Sequence, residues 1–368
     1  MITIRGGRLS TGERRDFHIA EGILVGDPPS GAMTVDAEGL IVIPGLVDMQ
    51  INGAFGHDFT QDPTTIWEVG ARLPELGVTT FLPTIVTAPG EVTDLAIDVV
   101  SGGKPNDYRG ADVIGLHFEG PWISPEMHGA HNLAHIADPD PSVARRWAES
   151  GQLRLVTLAP ERPGADTVID QLTRLGVQVS VGHTAADYAT TRRAFESGAS
   201  LATHLFNQMT PLTHRAPGVV GAALLHARHC LLIVDGHHVA DAALEVAWRV
   251  LGESRTILVT DAMAALGLGP GTYALGDGPI TVGEDGPRTG DGRLAGSVVT
   301  LPAAIGNLTE STSADLHGAI RGATLNPAHA LGLGDRGDLS HGRRADLTLL
   351  DDALNVVTTY VAGEVSHG

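Results

Sequence analysis

The chain has 368 residues, 42% hydrophobic and 18% charged, with 47 glycines. That composition excludes a disordered or coiled-coil protein and supplies enough apolar side chains for a substantial core. A formal net charge of −19 repels phosphate backbones and argues against a nucleic-acid partner, while still allowing a small anionic ligand to be bound by a local cation. The one cysteine, Cys230, cannot form an internal disulfide, the first ten residues lack the basic-then-apolar pattern of a signal peptide, and no apolar run is long enough to span a bilayer. A reducing, cytoplasmic setting away from membranes is therefore expected.

In chain order, residues 1–40 read as short strands and turns, with strands at 1–4, 17–20 and 22–25. Eight short apolar, β-branched runs follow, at 40–47, 79–86, 113–117, 153–158, 177–181, 200–204, 231–234 and 256–260. Continuous runs of this kind fit parallel strands buried on both faces. Helical patterns lie between several of them, at 64–76, 142–150, 165–175, 186–197 and 240–251. The alternation predicts an α/β protein built as a closed (β/α)₈ TIM-like barrel. A Gly- and Asp-rich stretch at 267–293 reads as a hairpin or long loop on the catalytic face, and helices are expected at 302–311 and 315–325. The tail returns to strands at 346–350 and 356–361. Residues 1–43 and 337–368 are thus expected to pair as a small β-sandwich domain beside a barrel domain of residues 44–336.

Polar residues stand at the C-terminal ends of most of the eight runs: Gln50 and Asn52, Glu119, His183, His204, Asp235 with His238, and Asp261. A (β/α)₈ barrel assembles its active site from those strand ends. One histidine in such a place reads equally well as a hydrogen-bonded core residue, but Glu119, His183 and His204 together form a standard ligand set for a catalytic divalent ion. Zinc fits best, and iron(II), manganese or cobalt also suit these donors. Asp261 reads either as the N-cap of a following helix or as the general base and acid beside that ion. The amides of Gln50 and Asn52 occupy a position where two histidines would hold a second metal. Amides are poor ligands for transition ions, so one metal per subunit is expected.

These residues carry a likeness that runs nearly end to end. Pro44-Gly45-Leu46-Val47-Asp48, His117-Phe118-Glu119-Gly120-Pro121, Gly129-Ala130-His131, Gly182-His183-Thr184, Thr203-His204-Leu205-Phe206-Asn207-Gln208-Met209, Arg215-Ala216-Pro217-Gly218, Asp235-Gly236 with His238, Thr260-Asp261-Ala262 and Leu294-Ala295-Gly296-Ser297 occur in this order. The chain resembles the amidohydrolase superfamily and, within it, the N-acetylglucosamine-6-phosphate deacetylases. That resemblance implies hydrolysis of N-acetyl-D-glucosamine 6-phosphate to glucosamine 6-phosphate and acetate. It assigns Glu119, His183 and His204 to the metal, Asp261 to proton transfer and His131 to the acetyl carbonyl. Asn207, Gln208, Arg215 and His238 would hold the sugar phosphate, and a homodimer is implied in which Arg215 reaches the neighbouring site. Two alternatives stay open: deacetylation of another amino sugar phosphate such as N-acetylgalactosamine 6-phosphate, or a scaffold that has lost catalysis. The stretch 123–128 departs from the family by lacking a basic residue near Met127, and His57, His128 and His237 are additional histidines near the expected mouth.

Overall fold

Long β-branched runs with no polar face form strands only where both sides are covered, and Val78–Val86 is the clearest case, buried at all nine positions. In the computed structural model, which describes residues 1–368, eight such strands run parallel around a barrel: Leu46–Ile51, Val78–Val86, Leu116–Glu119, Leu153–Leu158, Gln178–Val181, Leu201–Ala202, His229–Leu232 and Thr256–Leu258. Each pairs with the next in chain order. The ring is closed by the segments just past the last and first strands, where Asp261 N–H donates to Gln50 O at 2.9 Å and Asn52 N–H donates to Ala262 O at 2.7 Å.

The intervening helices cover the ring with one apolar stripe each. In Ala165–Arg174 the buried residues are Ala165, Val168, Ile169 and Leu172, the spacing of a single helical face. Asp140, Asp187, Thr300 and Asp315 cap the helices that follow them, each side-chain oxygen satisfying an otherwise unpaired N–H of the first turn. Two helices carry no such stripe in the sequence reading. Gly218–His226 is apolar all round and buried along most of its length, so no polar face marks its period. Gly90–Ser101 lies in a stretch for which no helix was predicted. The expected helix at 64–76 is an α-helical segment, Ile66–Arg72, between two 3₁₀ turns; its α-helical part stops before Pro74, which lacks the N–H that would continue it.

The first of the eight expected runs, 40–47, is divided between two sheets. Ile41–Pro44 pairs antiparallel with Leu347–Leu350 near the chain's other end, and the barrel strand begins at Leu46. Gly45 is the crossing point. Its N–H donates to Asp346 O, and a Cβ there would lie 2.2 Å from Thr79 Oγ1, so no side chain fits. The terminal strands form one eight-stranded sheet in which Ile2–Arg8 changes partner along its length, from Met33–Asp36 to Ile41–Pro44. This sheet has its own apolar core around Ile4, Phe17, Leu347 and Tyr360, separate from the core of the barrel. The stretch at 267–293 is a three-stranded antiparallel meander, Gly271–Leu275, Gly278–Gly283 and Gly286–Thr289, rather than a loop or two-stranded hairpin. A small core of Met263, Leu275, Ile280, Val282 and Ala295 seats it on the barrel. No helix is long and apolar enough to cross a membrane.

Arg336 joins the terminal segment to the barrel. It is 7% exposed, donates to Asp112 Oδ2 at 2.8 Å and Thr80 Oγ1 at 3.0 Å, and pairs with Asp335. The arginine is buried but Asp112 and Asp335 are 36% and 54% exposed, so solvent screens part of what these pairs contribute. Arg336→Met is expected to lower stability by about 1–3 kcal/mol, read as a lower denaturant midpoint; an unchanged midpoint would exclude this joint as a source of stability.

Candidate active site at the C-terminal rim of the barrel

Glu119 ends the third barrel strand, and His183 and His204 stand just past the fifth and sixth. All three side chains are buried and meet at one point: His204 Nε2 lies 3.0 Å and His183 Nε2 3.3 Å from Glu119 Oε1, and the two Nε2 atoms are 3.1 Å apart. Ligands about 2.0–2.1 Å from a tetrahedral ion stand roughly 3.3 Å from one another, so this triangle has the size of a divalent-metal site. His183 Nδ1 donates to Met127 O at 2.8 Å, which fixes its tautomer and presents the Nε2 lone pair to the centre. The residues present therefore fit one divalent ion.

The electrostatics agree. Burial opposes ionisation of Glu119, yet hydrogen bonds and charge from His183 and His204 outweigh it and hold the carboxyl well below its usual range. Burial would likewise lower His204, but its bond to Glu119 keeps it above its ordinary value.

Asp261 is buried beside this triangle. Its Oδ1 accepts from Asn52 Nδ2 at 2.8 Å and Gln50 Nε2 at 3.2 Å, and Gln50 Nε2 also donates to Glu119 Oε1 at 3.0 Å. Burial, with the nearby charge of Glu119, pushes the Asp261 carboxyl up to about 6. No helix follows Asp261, so it is not an N-cap. The two amides expected to cross the barrel mouth thus orient a carboxylate.

His131 lies on the loop after the third strand. Thr87 N–H donates to its Nδ1 at 3.3 Å, which leaves Nε2 as the protonated nitrogen, 3.8 Å from Glu119 Oε2. Burial and the nearby His183 lower its pKa to about 3, so the ring is neutral and offers an N–H. On the opposite rim, burial favours the neutral acid at Asp235, but hydrogen bonds from His238 hold its pKa down to about 2. Asp235 Oδ2 accepts from His238 Nδ1 at 2.7 Å, leaving Nε2 of that ring free.

Glu119, His131, His183, His204, His238 and Asp261 line one cavity of about 310 Å³, as do Asn207 and Gln208. Arg215 does not line it and sits on an exposed run at 211–216. His57 faces Glu68 outside the cavity, His128 bonds Arg293, and His237 is fixed by its backbone N–H to Asp235. Sequence reasoning missed Arg288 and Arg293, which reach the cavity from the meander. Their only signal was two arginines in a Gly/Asp-rich stretch, indistinguishable from solvated charges. Arg293 pairs with Asp291 and donates to Gly129 O at 3.0 Å. In the turn between the first two meander strands, Asp277 Oδ2 accepts from Asn132 Nδ2 at 2.9 Å. Both contacts lie at the same end of the meander and fasten it to the loop that carries His131.

His183, His204 and Asp261 all have positive φ, at 47°, 27° and 47°. Non-glycine residues in that region are costly, by about 1–3 kcal/mol each, and cluster at functional sites.

A parallel barrel with a Glu/His/His triangle and a buried acid at its C-terminal rim defines a metallohydrolase-type centre. The amidohydrolase family model matches residues 41–366, and the chain belongs to that family; it is a metal-dependent hydrolase. It is 40% identical to the N-acetylglucosamine-6-phosphate deacetylase of Bos taurus, with 99% of this chain and 90% of that protein covered. It is 35% identical to the N-acetylgalactosamine-6-phosphate deacetylase of Escherichia coli O157:H7, covering 99% and 98%. Among solved structures, the N-acetylglucosamine-6-phosphate deacetylase of Pasteurella multocida superposes with a TM-score of 0.93 at 28% identity, covering 99% of both chains. A mutant of the Mycobacterium smegmatis deacetylase in complex with N-acetyl-D-glucosamine-6-phosphate superposes at 0.87 with 34% identity, covering 100% of this chain and 99% of that one.

Adding zinc, cobalt or manganese to chelator-treated protein is expected to raise the melting temperature. A free ion concentration of about 100 times its dissociation constant corresponds to roughly 2.7 kcal/mol. Glu119→Ala should abolish both the shift and the metal retained after dialysis. Equal metal retention by the variant would show that the triangle is not the site.

Proposed function

We propose that the protein hydrolyses N-acetyl-D-glucosamine 6-phosphate to D-glucosamine 6-phosphate and acetate. The observation that carries this reading is the convergence of Glu119, His183 and His204 with Asp261 at their side, in one cavity with His131 and His238. The deacetylase relatives and the substrate complex of the Mycobacterium smegmatis enzyme support the choice of substrate.

A single divalent ion held by Glu119, His183 and His204, zinc in this reading, would supply Lewis acidity to the attacking water and the amide carbonyl. The remaining steps belong to the chain's own side chains. Asp261, with Oδ1 pinned by Gln50 and Asn52, accepts the water's proton at Oδ2 as the oxygen attacks the acetyl carbon. The neutral His131 ring donates its Nε2–H to the carbonyl oxygen as negative charge develops there. The C–N bond then breaks, and Asp261 returns the proton to the departing amine. Asn207, Gln208 and His238 line the far side of the cavity, where the sugar phosphate would sit. Arg215, exposed and away from its own chain's cavity, acts on the partner's site in a cytoplasmic homodimer.

The galactosamine epimer is a second reading, favoured by the Escherichia coli O157:H7 relative. The inactive-scaffold alternative is dropped, because the ligand triangle and its acid are intact. Acetate release from N-acetylglucosamine and N-acetylgalactosamine, each with and without the 6-phosphate, tests the proposal; the phosphorylated gluco substrate should have the highest kcat/KM. Asp261→Asn should keep its fold and metal while losing about 10²–10⁴ in kcat, and near wild-type turnover would remove Asp261 from the mechanism. Arg215→Ala should raise KM for phosphorylated substrates far more than for unphosphorylated ones. An equal effect on both would remove Arg215 from phosphate recognition.

A further inference from the structure

Arg288 stands on the meander strand Gly286–Thr289 and lines the same cavity as Glu119 and Asp261. Its Nη1 donates to Gly292 O at 2.8 Å, and it takes part in no ion pair. The other cavity arginine is already committed: Arg293 pairs with Asp291 and donates to Gly129 O. Arg288 is thus the one guanidinium at the mouth with donors to spare and no carboxylate of its own. Its strand runs beside the turn that carries His238. Gly286, two residues before Arg288, has positive φ, and a Cβ there would lie 3.2 Å from the ring of the neighbouring His237. His238 lines the same cavity and keeps its own Nδ1 on Asp235.

A planar guanidinium with free donors matches two oxygens of a phosphate at once. In a chain of net charge −19, with two carboxylates deeper in the same cavity, an unpaired cation at the entrance draws a dianionic group to the rim and keeps it off the acids. We propose that Arg288 is a specificity-determining contact for the phosphate of the substrate, supplied by the same chain that carries the Glu119–His183–His204 triangle. It is distinct from Arg215, which does not face this cavity. The inference rests on the reading of the substrate as an amino sugar phosphate.

The test compares wild-type, Arg288→Ala and Arg288→Lys proteins in acetate release from N-acetylglucosamine with and without the 6-phosphate. Binding of inorganic phosphate to each protein is measured separately by calorimetry. Arg288→Ala should raise KM for the phosphorylated substrate by roughly 10- to 100-fold, leave kcat/KM for the unphosphorylated sugar within about twofold, and weaken phosphate binding; Arg288→Lys should recover part of each loss. An Arg288→Ala variant that loses both substrates equally, or neither, or binds phosphate as wild type does, overturns the proposal. If the wild-type protein releases acetate from none of the phosphorylated sugars, the functional reading fails instead. The phosphate-binding comparison then decides Arg288 alone.

Discussion

Two imidazole nitrogens 3.1 Å apart beside a carboxylate oxygen are a stable arrangement only when positive charge sits among them, as a shared proton or as a metal ion. Much of the surrounding structure serves that constraint. Met127 O takes the outer N–H of His183, Gln50 bridges Glu119 to Asp261, and Thr87 holds His131 so that its remaining N–H is available. Below the rim, a chain of hydrogen bonds runs from Thr84 through His117, Thr157 and Thr203 to Ser180. Burial keeps His117 neutral, with its pKa near 4. The floor of the site is thus polar but fully paired, which gives it the stiffness of a satisfied network without a buried charge.

The backbone carries part of the cost of this geometry. A strand delivers its side chains alternately to two faces, yet His183, His204 and Asp261 must all turn inward immediately after their strands end. Positive φ at each of them bends the chain sharply enough to do so. Backbone hydrogen bonds on either side, such as Ser124 N–H to His183 O and Leu205 N–H to Leu231 O, hold the strained residues in place.

The barrel and the convergence of Glu119, His183 and His204 were legible in the sequence because both rest on local patterns: apolar runs of strand length, and a polar residue where most of the runs stop. The meander was only partly legible: a hairpin was one reading of 267–293 and Gly278–Gly283 alternates buried and exposed positions, but Gly271–Leu275 and Gly286–Thr289 carry no such alternation to mark the other two strands. The split of the first run at Gly45 was also hidden. Ile41–Pro44 and the start of the next strand, Leu46 and Val47, are equally apolar, and only the partner strand from residues 347–350 distinguishes them. The role of Gln50 and Asn52 was half visible. Their chemistry argued against a second set of metal ligands, but that they would grip Asp261, more than 200 residues away, depends on barrel closure and not on spacing.

That grip ties assembly of the site to the topology of the chain. The backbone bonds that seal the ring, Asp261 N–H to Gln50 O and Asn52 N–H to Ala262 O, involve the same residues that set the acid against the triangle. Contacts across such a sequence separation form slowly, because loop-closure entropy must be met before they stabilise anything. During synthesis the first seven strands can emerge and pair while the site still lacks its acid, so sealing the ring and gaining chemical competence are a single late event.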